Sequence, residues 1–362
     1  MISDDFYSTL AFADGSIEPP QMVANIKEQA DDFVVDEIMH VECSGEGEHI
    51  WLQISKQQTH SDQIAKSLAR IANIHAKDVG ISGMKDFRAS TRQWFSVWLP
   101  GVKDHDLPKW HDIESDLISI DAVQRHSRKL KRGTHIGNQF KIVLRQVSGD
   151  MNKLEQKLSL MQQQGVPNYF GEQRFGRGGS NLKQVLTMLE SGKKIKQRQK
   201  RSMLLSSARS WLFNIVLSER LKQKTWLIPQ AGEPLNLSGS RQTFQTDDLI
   251  EAQQRVNSLD IHTTAPLWGV NAERMMQEAK DLHEFELASL QSSQVSTVLA
   301  QGLEKNRLEY KRRSMRLVPE DITWQVLNAD ANKPFDIELN FKLGRGEFAT
   351  SVLRELVKAR LD

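Results

Sequence analysis

Apolar and β-branched residues alternate with polar ones in four short stretches of the first 150 residues: DDFVVDEI (31–38), HIWLQISK (49–56), QWFSVWL (93–99) and NQFKIVLRQV (138–147). Alternation puts every second side chain on one face of a pleated strand, so these stretches read as half-buried strands. Between the second and third, THSDQIAKSLARIANIH (59–75) changes to helical spacing, with Ile64, Leu68, Ile71 and Ile74 along one side behind a Thr or Ser cap. From residue 180 to 305 helical patterns dominate: LKQVLTMLESG (182–192) closing on a glycine, LLSSARSWLFNIVLSERL (204–221) and NAERMMQEAKDLHEFELASL (271–290). Strand signals return at ITWQVL (322–327) and FDIELNFKL (335–343), and FATSVLRELVKARL (348–361) predicts a terminal helix. An α+β beginning, a helical middle and an α+β end predict one domain interrupted by an inserted one. No internal repeat or low-complexity tract is present.

A chain of 362 residues exceeds the length at which a single core usually stops growing, which agrees with two domains. With 39% hydrophobic and 26% charged residues it has a globular composition, and no apolar run reaches bilayer length. The acidic start MISDDFYSTLAFADGS lacks the layout of a secretory signal, so a cytosolic protein without a membrane partner is expected. The lone Cys43, in the acidic VECSGEGE, excludes an intrachain disulfide and makes a poor nucleophile.

The net charge of +2 hides an uneven distribution. RHSRKLKRGTH (125–135), KKIKQRQKR (193–201) and KRRSMR (311–316) contain no acid, whereas 31–48 holds seven acids and no Lys or Arg. A single basic run is ordinarily a solvated face, but three of them point towards a polyanion such as nucleic acid. Other chemistry finds no support. GEQRFGRG (171–178) has P-loop glycine spacing but Arg177-Gly178 where Lys and Ser or Thr are needed. GRGEFA (344–349) is followed by no ribose-binding acid, and His60, His75 and His262 show no metal-ligand spacing. No metal and no cofactor are expected.

Eight blocks carry a resemblance: KEQADDFVVDEI (27–38), GEGEHIWLQISK (45–56), GMKDFRASTRQWFS (83–96), RKLKRGTHIGNQFKIVLR (128–145), VPNYFGEQRFGRGGSN (166–181), SSARSWLFNIVLSER (206–220), RRSMRLVP (312–319) and RGEFATSVLREL (345–356). Their number, order and spacing resemble the tRNA pseudouridine synthase D (TruD) family. Two departures stand out: Thr263-Thr264-Ala265-Pro266, where the family has Pro-Thr-Gly-Pro, and a slightly longer connection before Gly137-Asn138. The resemblance implies an α+β pseudouridine synthase catalytic domain with a mixed or antiparallel sheet, interrupted by an inserted, mostly helical TRUD domain, with an RNA-binding cleft between them. The expected division is 1–166 and 313–362 for the catalytic domain and 167–312 for the insertion. The implied partner is tRNA, the implied reaction is cofactor-free conversion of a uridine, typically uridine-13, to pseudouridine, and a monomer is expected.

By matching motif positions, Asp86 is implied as the catalytic aspartate; by itself, Gly-x-x-Asp is ordinary turn chemistry. The reaction breaks the N1–C1′ bond, rotates the uracil and rejoins it through C5. An ionised carboxylate can act as nucleophile at C1′ or as base at C2′, and the sequence leaves both open. Either role favours a nearby cation, with Lys27 the first candidate and Lys85 the second. The target base must leave the stack and be held by stacking and edge hydrogen bonds. Phe140 is the stacking candidate, Asn138 the edge reader, and Phe33 a wall of the base pocket. Tyr169, Phe170 and Arg174 are candidates to line the RNA path, with Arg128 and Lys129 as phosphate contacts. The competing reading is a non-catalytic tRNA-binding or tRNA-folding protein, which would tolerate Asp86→Asn. An RNA methyltransferase would need a donor-nucleotide loop that the sequence lacks.

Overall fold

The computed structural model describes residues 20, 22–87, 89–192, 195–240, 242–328 and 334–360. The acidic stretch 1–16, Arg88 and the Lys193-Lys194 pair of the second basic run therefore lie outside the described residues. The principal elements in chain order are β1 (Met22–Ile26), β2 (Phe33–Ile38), β3 (His49–Lys56), α1 (Ser61–Ile71), β4 (Ser90–Trp98), β5 (Ile118–His126) and β6 (Gly137–Ser148). They continue with α2 (Met151–Gln164), α3 (Ser180–Ser191), α4 (Arg198–Lys222), α5 (Leu249–Asn257), α6 (Lys280–Gln291) and α7 (Gln294–Lys305). The last are β7 (Glu320–Asn328), β8 (Phe335–Gly344), α8 (Ala349–Leu356) and β9 (Val357–Ala359).

The chain forms two compact units. One comprises residues 21–155, 319–347 and 357–362, the other 156–318 and 348–356. Both expected joins, 166/167 and 312/313, fall inside the second unit, and α8 groups with it rather than with the sheet.

The first unit is built on a mixed sheet in the order β7-β8-β6-β2-β4-β3-β5, with β1 beside β6 and β9 beside β1. All pairs are antiparallel except β2 with β4 and β1 with β9. In β2, Phe33, Val35 and Glu37 alternate inward. The register sets Val35 and Phe341 on either side of Phe140, and Glu37 and Leu343 on either side of Asn138. A second core, with Ile50, Leu52, Ile54, Phe95 and Val97, packs under the apolar stripe Ile64, Ala65, Leu68 and Ala69 of α1. Burying such side chains contributes about 1.5–3 kcal/mol each.

The second unit is a helical assembly around α4, whose Leu204, Ala208, Trp211, Leu212, Val216 and Leu217 join one apolar core with residues of α3, α6 and α7. The glycine closing α3 takes a left-handed conformation, φ 65°, as a C-cap should. The continuous helix expected over 271–290 is instead a single turn at Ala272–Met275 followed by α6, because the chain between them is tied back by Ala279 N–H to Met276 O. The expected terminal helix stops at Leu356. Its continuation is β9, recruited by parallel pairing with Met22–Ala24, a long-range contact that outweighs local helical spacing. Among the described residues no helix is long and apolar enough to cross a membrane.

Candidate active site

Asp86 sits in the loop between Ile81 and β4, and that loop is pinned from several directions. Gly133 N–H donates to Ser82 O at 2.7 Å, Gln93 Nε2 donates to Gly83 O at 3.2 Å, and Lys85 N–H donates to Ser61 Oγ at 3.3 Å. Ser61 in turn donates to Gln93 Oε1 at 2.6 Å, so the first residue of α1 and the inward Gln93 of β4 form one buried clasp. Just before the loop, the chain lies tight against β4 at Gly80, where a methyl group would overlap Ser96 Oγ and the Leu130 carbonyl. The backbone around Asp86 is thus fixed before any substrate arrives. Its carboxylate stays open to solvent, with a side-chain exposure of 42%.

Lys27 Nζ lies 3.0 Å from Asp86 Oδ2 and 4.0 Å above the Phe33 ring centroid. Lys27 takes a left-handed backbone conformation, φ 60°, at the end of β1. A non-glycine residue held there costs about 1–2 kcal/mol, a strain found where geometry serves a site. Lys85, the second candidate partner of Asp86, turns the other way: its Nζ meets Glu37 Oε1 at 3.1 Å and Asn138 Oδ1 at 2.5 Å. Burial holds the Lys85 amine below the ordinary lysine range, with Glu37 opposing the shift. Glu37 also accepts the Ser82 hydroxyl and, at 3.0 Å, the Trp94 backbone N–H. Lys56 is a further buried amine, donating to Thr59 O at 2.7 Å; burial and the neighbouring Lys85 bring it down to about 8.

The aromatic candidates are deeper than a stacking role requires. Phe140 is 6% exposed, stacked on Phe341 with centroids 5.4 Å apart and planes at 23°, and edge-on to Phe33 at 6.1 Å. Phe33 is 4% exposed. Phe33 forms the floor under Lys27, and Phe140 backs Phe33 edge-on. The large apolar side chains that do face solvent here are Met84 and Phe87, on either side of Asp86, with Phe87 leaning on the His60 ring.

Of the RNA-lining candidates, Tyr169 and Phe170 lie in the core of the helical unit. Tyr169 is 2% exposed with its hydroxyl 2.9 Å from Ser218, and Phe170 is 8% exposed against Phe213 and Phe348. Arg174 is half-buried, donating to Ser206 and Ser210 of α4 and lying over the Phe170 ring. The third basic run is likewise structural. Arg312 is an ion-pair partner of Glu286 at 2.6 Å, Arg313 covers Phe170, and Arg316 donates to His262 and to the carbonyls of Val256 and Ile261. In the first run Arg128 is exposed and Lys129 donates to Lys77 O at 2.9 Å. The two threonines of the departing Thr-Thr-Ala-Pro are buried, Thr264 bonding to Glu233, Pro234 and Arg312.

Sequence reasoning missed Glu37, Lys56 and Ser82. Glu37 had a legible signal: a carboxylate on the inward phase of an alternating strand, after Phe33 and Val35, must be paired to be tolerated. Among the described residues no group of three or more His, Cys, Asp or Glu converges on a metal-sized site. Cys43 is half-buried, and burial pushes its thiol up, away from the reactive range.

The arrangement is a solvent-open carboxylate paired with an ammonium, on a rigid loop beside a strand bearing Asn138 and Phe140. The family model for tRNA pseudouridine synthase D (TruD) matches residues 16–193 and 180–356. Relatives from Nitrosococcus oceani, 41% identical over 95% of this chain and 93% of that protein, and Methylococcus capsulatus, 40% identical over 92% and 90%, are both called tRNA pseudouridine synthase D. The crystal structure of the protein assigned as tRNA pseudouridine synthase D in Methanosarcina mazei shares the fold, with a TM-score of 0.69 at 18% identity over 97% of each chain. The chain belongs to the tRNA pseudouridine synthase D (TruD) family.

Proposed function

We propose that this protein is an isomerase that converts uridine to pseudouridine in tRNA, at uridine-13, with Asp86 as its catalytic residue. The observation that carries the proposal is the Asp86 carboxylate itself: open to solvent, yet fixed by a clasped loop and held 3.0 Å from Lys27. Lys27 keeps the carboxylate oriented through their ion pair. As nucleophile, Asp86 attacks C1′ while uracil departs with the N1–C1′ electron pair; as base, it takes the C2′ proton. Uracil then turns and C5 bonds to C1′ as the Asp86–C1′ bond breaks, or as C2′ takes its proton back from Asp86; the C5 proton is lost while N1 gains one. Substrate and product are isomers, so atoms balance without a donor. Domain roles follow the family: the sheet unit carries the chemistry, and the helical unit is the TRUD insertion.

Pseudouridine mapping by carbodiimide treatment and primer extension tests this, on tRNA transcripts incubated with wild type or Asp86→Asn. Wild type is expected to produce one stop at uridine-13, and Asp86→Asn none, with an unchanged melting temperature. Equal modification by Asp86→Asn would remove Asp86 from the chemistry, and none by either protein despite confirmed tRNA binding would favour the tRNA-binding alternative.

A further inference from the structure

The orientation of the Asn138 amide is settled by its neighbours. Lys85 Nζ lies 2.5 Å from one amide atom, and an ammonium can only donate, so that atom is Oδ1. Lys85 cannot release it freely, because its side chain and that of Glu37 are almost wholly buried and paired at 3.1 Å. Glu37 is itself held at both oxygens, by Ser82 and by the Trp94 N–H, and stands opposite Asn138 in the β2–β6 register. With its oxygen occupied, Asn138 has its NH2 group left to offer, and among the described residues Nδ2 has no partner.

We propose that the Glu37–Lys85 pair makes Asn138 an obligatory donor to a pyrimidine carbonyl and thereby selects uracil over cytosine at the target position. The inference rests on the synthase reading and deepens it. The outer edge of uracil reads carbonyl, N3–H, carbonyl. A half-turn about the axis through C6 and N3 brings C5 to where N1 stood and exchanges the two carbonyls. A fixed donor therefore meets an acceptor both before and after the turn. Cytosine carries an amino group at C4, so one of its two orientations sets donor against donor. An amide free to flip would accept either base; held by Lys85, it cannot, and the mismatch is a repulsive element of specificity. Asn138 thus touches the base, while Glu37 and Lys85 are positioning residues.

The test uses tRNA transcripts with uridine, 4-thiouridine or cytidine at the target position, the sulfur being a weak acceptor. Wild type is expected to show kcat/KM for 4-thiouridine about 10-fold or more below uridine. Asn138→Asp, which keeps the shape and the partner of Lys85 but has no donor, is expected to lose about 10–100-fold on uridine and to bring the two substrates within about 2-fold of each other. Glu37→Gln removes the charge that holds Lys85 as an ammonium; its ratio should also fall, whatever its loss of stability. Wild-type discrimination retained by Asn138→Asp, or retained by Glu37→Gln alongside a lowered melting temperature, would overturn the proposal and leave Glu37 and Lys85 as scaffold. Binding separates this from the underlying reading. Should wild type make no pseudouridine, the synthase reading fails, and the Kd ratio decides the inference: uridine preferred over cytidine, with the preference lost in Asn138→Asp, supports it, and equal affinities overturn it.

Discussion

Replacing Phe140 separates support from chemistry. The ring is 6% exposed, faces Phe341 at 5.4 Å and Phe33 at 6.1 Å, and lies in register between Val35 and Phe341. Truncating a buried Phe to Ala costs about 3–5 kcal/mol, including about 0.5–1.5 kcal/mol for each aromatic pair lost. For a unit of this size each kcal/mol lowers the melting temperature by about 2–4 °C, so Phe140→Ala should melt about 6–20 °C lower. Phe140→Leu fills most of the volume and should lose less than half of that. Calorimetry gives the stability change, and single-turnover pseudouridine formation with filter-binding Kd gives the functional one, below the melting range of each variant. Phe140→Ala is expected to slow turnover more than it weakens tRNA binding, since the floor it supports carries Lys27 and, through it, Asp86. An unchanged melting temperature would refute the packing argument. Equal losses in turnover and Kd would refute the link to Asp86 and leave Phe140 a structural residue.

Three further outcomes are expected. Burial and the Arg316 guanidinium bring His262 down to about 4 from an ordinary 6.5, so its share of stability is complete above pH 6.5 and lost as pH falls towards 4, when the unfolded chain takes the proton first; denaturant titrations should show a loss of about 3 kcal/mol across that window, absent in His262→Gln. Lys56, brought down to about 8 from 10.5, acts in the opposite range: the native protein sheds its proton first, stability rises between pH 8 and 10.5, and Lys56→Met should abolish that rise. Gly80→Ala should cost more than about 2 kcal/mol, because the new methyl meets the Leu130 carbonyl, and an unchanged melting temperature would show that the loop before Asp86 is looser than its hydrogen bonds imply.

The strands that alternate cleanly were legible because each has one buried face: FVVDEI and the 335–344 strand carry their phase in the sequence. β1 and β9 were not, because Met22–Ile26 and Val357–Ala359 become strands only by pairing with each other and with β6, and nothing local encodes that. The third basic run misled for a related reason. A guanidinium reads as solvated from sequence, yet Arg312 and Arg316 are buried because Glu286, His262 and free carbonyls wait for them elsewhere in the chain. The expectation for Asp86 came from motif spacing, whereas the burial of Tyr169 and Phe170 depends on packing against α4 and α8 that no local pattern encodes.

The support beneath Phe140 comes from both sides of the chain's long helical excursion. Phe33 is made early, but Phe341 leaves the ribosome only after residues 156–318 of the helical unit, and β9 later still. A nascent chain with β2 and β6 already paired therefore exposes one edge of β6 and a bare aromatic ring until β8 arrives, a species prone to mispairing. Folding of the sheet unit should accordingly be slow and late, with competence for catalysis appearing as a single final event rather than growing with chain length.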